Sequence, residues 1–373
     1  MRDSAADWAV IDQAIELSRA NFEKTRLLMV VNTKTGSPPA FEYPHHSIIT
    51  DFFSDQEYSD LLAGFRYCAG YVEGIIGEEA FLKHLARDQP GDWNGRTIVY
   101  AGPGNSPGRA SNLVVPAVCE FRGLMTCCAD PYALALTENK FHSFRLLRDA
   151  GIQTTDDWLF DPVLGWAQGI RPPHGLKVIA KPVNGCASIG ITDESVGTFG
   201  RTMEDFIQSM AADFGEAFLV QRFVFGHEAE VPIFGLNEVV APMTCGISLG
   251  QDRNLGTQIL GYDAIFDDAY GFYDYTTEDE RVAGRCREIA VLAYKTLSLS
   301  GIARIDFRID EDGTPLATDI TNIPHMTPHG APSYAFSASG RSYSDLLATL
   351  LSIGHSRIDQ SDIRPNFDGG IKR

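Results

Sequence analysis

The stretch from Gly301 to Gly330, GIARIDFRIDEDGTPLATDITNIPHMTPHG, restricts the fold more than any other part of this 373-residue chain. Ala303, Ile305, Phe307 and Ile309 alternate with Arg304, Asp306, Arg308 and Asp310, the period-2 pattern of a strand with one buried face. Asp312-Gly313 predicts a two-residue type I′ turn, because both central positions of that turn need positive φ. Cross-strand partners then have numbers summing to 625, as 312 and 313 do, so Asp306 faces Asp319 and Arg304 faces Thr321 on one side of the hairpin. Two carboxylates about 5 Å apart repel by roughly 3 kcal/mol at an effective dielectric near 20, and positive charge must sit between them. An all-oxygen set suits Mg²⁺ or Mn²⁺, while a solvated face balanced by Arg304 and Arg308 relieves the same repulsion; the hairpin alone leaves both open. His325 and His329 are four apart, but Pro324 and Pro328 exclude the helical geometry of an HxxxH zinc pair.

The rest of the chain narrows the context. With 31 Lys+Arg against 49 Asp+Glu, its formal charge of −18 argues against a generic nucleic-acid surface and requires any anionic ligand to find a locally positive pocket. The N-terminal residues lack the apolar core of a signal peptide and no later run is long enough to span a membrane, which predicts a cytoplasmic protein. Seven scattered cysteines without a CxxC pair read as reduced thiols, and the length predicts two or three domains.

Helical spacing over 7–22, a buried strand at Leu27–Val31 and a second at Thr97–Ala101 predict an N-terminal α/β domain over residues 1–129. The second strand runs into GPGNSPGR, Gly102 to Arg109, which lacks both the Walker A ending and the GxGxxG spacing; it reads as a turn in which Arg109 is a candidate carboxylate clamp. Asp130-Pro131 opens a helix as N-cap and N1. Two further segments carry chemistry. In KVIAKPVNGCASIGI, Lys177 to Ile191, a short strand ends in Lys181-Pro182 and passes into a small-residue loop with accessible amides, either a phosphate cover or a plain turn. In FLVQRFVFGHEAEVPIFG, Phe218 to Gly235, a β-rich run turns at Gly226 and resumes with Glu228 and Glu230, offering Phe223 to a purine and Glu228 to a ribose, or forming a simple hairpin.

In this order the three segments resemble the ATP-grasp superfamily, and within it the D-alanine-D-alanine ligases: a Lys-Pro strand with a glycine/serine loop, a hinge strand with its Glu, then Arg-x-Asp and an acidic-x-Asn-x-x-Pro-Gly-x-Thr turn. The resemblance extends from about Leu136 to the C-terminus. It implies an α/β ATP-grasp fold, with α+β character in its C-terminal part: a Rossmann-like N-terminal domain, a lid subdomain over 130–220 and a catalytic subdomain over 221–373. By the same resemblance Lys140 and Lys181 contact phosphates, Ser188 lies in the phosphate loop, Gln221, Phe223 and Val224 form the adenine hinge and Glu228 meets the ribose. Arg304 stabilises phosphoryl transfer with Lys181, Asp306 and Asp319 bind Mg²⁺ (or Mn²⁺), and the turn from Asp319 to Gly330 positions the acceptor. The implied chemistry is ATP-dependent joining of a carboxylate to an amine through an acyl phosphate, with small-molecule partners and a homodimer.

Departures from the family pattern cluster on the substrate side. The metal-binding Asn falls on Thr321, with Asn322 next to it; the Pro-Gly becomes Pro324-His325; a carboxylate-binding Ser becomes Gly330; the first serine of the phosphate loop is Ala187; and the flexible loop's Lys-Tyr falls on Ile265 and Phe266. His325, His329, Gly330 and Arg109 are thus the candidate substrate residues. The acidic, aromatic 262–280 segment either covers a cationic or aromatic substrate or forms a solvated loop. A ligase of specialised metabolism is the expectation, with D-alanine-D-alanine ligase itself, a non-ligase ATP-binding protein and an ATP-grasp kinase as alternatives.

Overall fold

Leu27–Val31 lies at the centre of a parallel sheet with almost no exposed surface, as a continuous apolar run requires. The computed structural model describes residues 4–43, 46–87, 96–106, 109–185, 187–267 and 269–363; Cys186 and Asp268 lie outside them. The first sheet has the order β2-β1-β3-β4, from β1 (Thr25–Val31), β2 (Tyr71–Ile76), β3 (Arg96–Ala101) and β4 (Met125–Thr126), all parallel. Helices α1 (Ser4–Ala20), α2 (Asp55–Arg66), α3 (Glu78–Arg87) and α4 (Val114–Arg122) complete this layer. The six described cysteines are buried free thiols, as the scattered spacing predicts.

Asp130 caps α5 (Pro131–Thr137) by accepting from the Ala133 N–H at 2.9 Å. This helix is short. Asn139 caps the next, accepting from the His142 N–H, so that α6 (Lys140–Asp149) begins at Lys140. A five-stranded sheet follows in the order β6-β5-β9-β7-β8: β5 (Asp157–Asp161), β6 (Gly165–Trp166), β7 (Lys177–Pro182), β8 (Val196–Thr198) and β9 (Phe218–Arg222), backed by α7 (Arg201–Phe214). A division of the chain between 220 and 221 falls inside β9, whose ladders to β5 and β7 include Gln221 and, toward β7, Arg222.

The third sheet is built on β10 (Gly226–Gly235), which pairs with β11 (Val239–Val240), β12 (Cys245–Ser248) and β13 (Asn254–Gly256). Its path runs from β14 (Gly271–Asp274) through β12 and β10 to β15 (Ile302–Ile309) and β16 (Pro315–Thr321). The short α8 (Tyr262–Phe266) precedes β14, and α9 (Glu280–Thr296) packs under the sheet, burying Val282, Cys286 and Ile289 beside Ile305 and Phe307. Gly226 begins β10 at φ +134°, where a Cβ would stand 2.0 Å from the Ile309 carbonyl oxygen; only glycine fits.

The hairpin has the expected face with a different turn. Asp306 pairs with Asp319 and Arg304 with Thr321, but Phe307 pairs with Ala317 and Ile309 with Pro315. The Gly313 N–H donates to the Asp310 carbonyl and the Asp310 N–H to the Thr314 carbonyl, so the loop is Glu311-Asp312-Gly313, with Gly313 alone of the three at positive φ, +74°. This three-residue loop replaces the expected type I′ turn because the Asp310 carboxylate accepts from the Asp312 and Thr314 N–H groups, closing an Asx turn one residue earlier. A bulge at Thr318 adds one residue to β16 and restores the facing pair.

The last described helix packs against the first. After α10 (Ala331–Ala338), helix α11 (Tyr343–Ile363) packs against α1, α2 and β3. Leu346, Leu347, Leu350, Leu351 and Ile353 join the first sheet's core, so the residues after 342 do not belong with the third sheet alone. A second tie runs from α2 to the loop after β16. Glu57 closes a capping box with Ser54 and accepts from His329 Nε2 at 3.2 Å. Burial works to raise the Glu57 carboxyl, but His329, the Ser54 donors and His325 outweigh it and hold it at about 2, below the ordinary 4.5.

Leu350→Ala removes a fully buried side chain from the core that α11 completes and is expected to cost about 2–5 kcal/mol in urea unfolding. Because Glu57 is depressed in the folded state, its contribution is complete above the unfolded value and fades as pH falls toward the folded one. Glu57→Gln should therefore lower stability at neutral pH, with the gap to wild type closing between about pH 4.5 and pH 2; a gap independent of pH contradicts the depressed carboxyl.

Candidate active site

The three sheets converge on one solvent-open cleft, lined from Thr50 and Asn112 on the N-terminal side to Gln221 and Asp319 on the others. Its floor is the polar face of β10, β15 and β16. Glu230 of β10 pairs with Asp306 of β15, which pairs with Asp319 of β16, so three carboxylates lie in one row across three adjacent strands. Like charges directly opposite destabilise a sheet, and each is met by a cation. Arg304 binds Asp306 through both its Nε (2.7 Å) and one terminal nitrogen (2.8 Å), and its other terminal nitrogen lies 3.3 Å from Glu230. Lys140, at the start of α6, stands 3.6 Å from Asp319. Lys181, at the end of β7, donates to the Thr318 carbonyl at 2.7 Å. The bulge turns that carbonyl toward the central sheet and so places the Lys181 ammonium beside Asp319.

These surroundings push the row apart in protonation. Burial would raise the Asp319 carboxyl, but Lys140, Lys181, the Ile320 N–H and Arg304 together hold it below its ordinary value. Burial raises Asp306 against the pull of Arg304, and pushes Glu230 up to about 8, with Asp306, Glu228 and Asp319 adding to the effect. Burial and the neighbouring Lys140 depress Lys181 despite Asp319.

At the other end, Gln221, Phe223 and Val224 line the cleft where β9 gives way to β10, all nearly buried. Arg308 lies over the Phe223 ring at 5.1 Å and 3.6 Å from Glu228, with its guanidinium hooked to the Gly226 and Gln258 carbonyls. Ala187 and Ser188 both take left-handed φ, +47° and +51°, turning the loop after β7 across the opening. Ser188 Oγ donates to the Leu260 carbonyl, and the Tyr262 N–H donates to the Ile191 carbonyl. Tyr262 stacks on His46 at 4.1 Å and its hydroxyl accepts from the Ser47 N–H and from Thr50 Oγ1, while His46 Nδ1 accepts from the Gly190 N–H. Segments from all three sheets thus close the mouth. The closing segment brings Ile259, Leu260 and Ile265 rather than a lysine.

Among the described residues, five buried polar atoms of the cleft walls have no hydrogen-bond partner: Thr155 Oγ1, Gln221 Nε2, Glu230 Oε2, Asn322 Oδ1 and His325 Nε2. An unpaired buried polar atom is costly, so each is expected to be met by water or by a bound molecule. Asn322 donates to the Ser300 and Ile302 carbonyls, leaving its Oδ1 unpaired, while Thr321 shares the face of Asp319. Asp306, Asp319 and an amide oxygen are a hard-oxygen set that fits Mg²⁺ or Mn²⁺; among the described residues no cluster of three His, Cys, Asp or Glu forms a ready-made metal cage.

His325 tilts against Phe53 at 4.4 Å, and burial keeps its imidazole neutral, down to about 4. The other substrate candidates stand elsewhere. Arg109 is exposed in its turn and outside the cleft lining, His329 faces Glu57, and Gly330 caps α10. Sequence reading passed over Asn112, Glu138, Thr50 and Asp51, which line the cleft's N-terminal corner. Asn112 donates to Glu138 at 2.7 Å, and burial pushes that carboxyl up to about 6. Tyr262→Phe removes the hydroxyl that joins the closing segment to Ser47 and Thr50; exchange protection of residues 259–266 should fall by about 1–3 kcal/mol, and unchanged protection means that the latch lies elsewhere.

A family model described as D-ala D-ala ligase C-terminus matches residues 154–352. The uncharacterized protein y4sG of Sinorhizobium fredii is 25% identical over 319 residues, covering 80% of this chain and 87% of its own. A D-alanine–D-alanine ligase of Shouchella clausii is 28% identical over 229 residues (60% of this chain, 59% of that one), and one of Limosilactobacillus fermentum 29% over 264 residues (66% and 67%). The crystal structure of D-alanine–D-alanine ligase from Bacillus anthracis complexed with ATP aligns at a TM-score of 0.63 and 16% identity over 90% of this chain and 99% of that one, a likeness of fold. No helix among the described residues is long and apolar enough to cross a membrane. With more than half of its length matched by the family model, the chain belongs to the D-alanine–D-alanine ligase family of ATP-grasp enzymes, which form carbon–nitrogen peptide bonds.

Proposed function

We propose that the protein is an ADP-forming carboxylate–amine ligase that works through an acyl phosphate and joins an acid and an amine other than two D-alanines, in specialised metabolism. The observation that carries this reading is the convergence in one cleft of the Asp306–Asp319 pair, Lys140, Lys181 and Arg304 with the hinge at Gln221, Phe223 and Val224. The hinge would seat the adenine between Phe223 and the strand edge, with Gln221 Nε2 free to donate and Glu228 toward the ribose. Lys140 and Lys181 would hold phosphate oxygens as point charges, and Ser188 with its loop amides would cover them. Asp306 and Asp319, with Asn322 Oδ1 or Thr321, would hold Mg²⁺ or Mn²⁺, which when bound supplies neutralising charge to the transferring phosphoryl group. Arg304 would face the acid's attacking carboxylate and later the tetrahedral adduct formed by the amine. The apolar closing segment, Ile259 to Ile265, would keep water from the acyl phosphate.

The substrate side supports partners other than D-alanine. His325 fills space where the family has glycine and presents an unpaired nitrogen to the cleft, and the closing segment supplies no lysine. The named relatives at 28–29% identity favour a second reading, D-alanine–D-alanine ligase itself. ADP release measured across a matrix of acids and amines separates the two. Release with a pair that excludes D-alanine is expected; release with D-alanine alone selects the second reading, and none with any pair while ATP still binds rejects both. Asp319→Asn should reduce Mg²⁺-dependent turnover by at least about a hundredfold with the fold intact by circular dichroism; unchanged turnover removes this site from the reaction.

A further inference from the structure

Glu230 has no role in the chemistry above, yet it is the third member of the carboxylate row and only 4% exposed. One of its oxygens is 3.3 Å from Arg304, and the other has no partner. Arg304 therefore touches two carboxylates at once, with unequal grip. Asp306 takes the close pair of bonds at 2.7 and 2.8 Å, and Glu230 the longer contact. A divalent cation that engages Asp306 competes for the same oxygens, and would strand a buried guanidinium next to a second positive charge. Glu230, directly opposite Asp306 on the neighbouring strand, is the nearest carboxylate able to take the guanidinium over, and its unpaired oxygen leaves room for a two-bond grip.

We propose that Glu230 is a positioning residue for Arg304: it is the second seat of the guanidinium, occupied when a divalent cation takes Asp306. The exchange keeps Arg304 paired and in the cleft wall, and frees the Asp306 oxygens without expelling a cationic side chain. The inference rests on the proposed role of Asp306 as a cation ligand and on no particular pair of substrates.

The test is Mn²⁺ binding to the full chain, followed by electron paramagnetic resonance without substrates, in a double-mutant cycle of Glu230→Gln and Arg304→Gln. Glu230→Gln should weaken Mn²⁺ binding by roughly tenfold when Arg304 is present, within the range for coupled residues in contact, and by less than about twofold when it is absent. Arg304→Gln alone should tighten binding. Equal weakening in both backgrounds means that Glu230 acts on the cation directly and overturns the exchange, as does no weakening in the presence of Arg304 or no Mn²⁺ binding by the wild type. If Glu230→Gln does not fold by circular dichroism, Glu230→Asp, which keeps the charge but shortens the reach, is expected to give the same pattern. A wild type that binds Mn²⁺ in this way but releases no ADP with any acid–amine pair rejects the ligase reading and leaves the exchange standing.

Discussion

Mutual repulsion along the row Glu230, Asp306, Asp319 is the constraint around which the rest of the molecule is arranged. A sheet that sets acids face to face on three consecutive strands is unstable by itself unless cations, or a proton retained on one of them as burial favours at Glu230, relieve it. The compensating cations come from separate places: Arg304 from the row's own sheet, Lys140 from the first turn of α6, and Lys181 from the end of β7. Two cations outside the third sheet thus reach its acidic face, Lys140 at Asp319 and Lys181 at the Thr318 carbonyl. Removing one partner from such a buried arrangement is far more damaging than the pair is stabilising, so the charges fix where the layers meet more than how tightly they hold.

The hairpin shows how a correct pairing can follow from a turn that is off by one. Asp312-Gly313 promised a two-residue turn, and the chain uses a three-residue loop; the bulge at Thr318 then returns the acidic residues to the same register. No alternation in the sequence marks that bulge, because Pro315, Leu316 and Ala317 are all buried; it is set by the pairing itself, and the Thr318 carbonyl at the irregularity holds Lys181.

Elsewhere, legibility followed sequence distance. β1, β3, the cap at Asp130 and the two chemistry-bearing strands could be read because each depends on neighbours within a few residues. Glu230 was visible as an acidic strand residue, but its opposition to Asp306 is a long-range pairing no local pattern states. Asn112 and Glu138 meet across the junction of the first two layers, and Tyr262 meets His46 and Thr50 across more than two hundred residues. Arg109 looked like a clamp because it follows a strand end; the turn instead carries it outward. In each case the missing knowledge was tertiary.

Helix α11 gives the order of synthesis a structural meaning. Strands β1 to β4 precede both other sheets in the described chain, yet Leu346, Leu347, Leu350, Leu351 and Ile353, which join the same core, come after them. The core of the first layer is therefore completed by side chains made after both later sheets. The N-terminal and C-terminal portions are therefore one folding unit interrupted by two others, and the cleft is assembled in the middle of a chain that closes on itself.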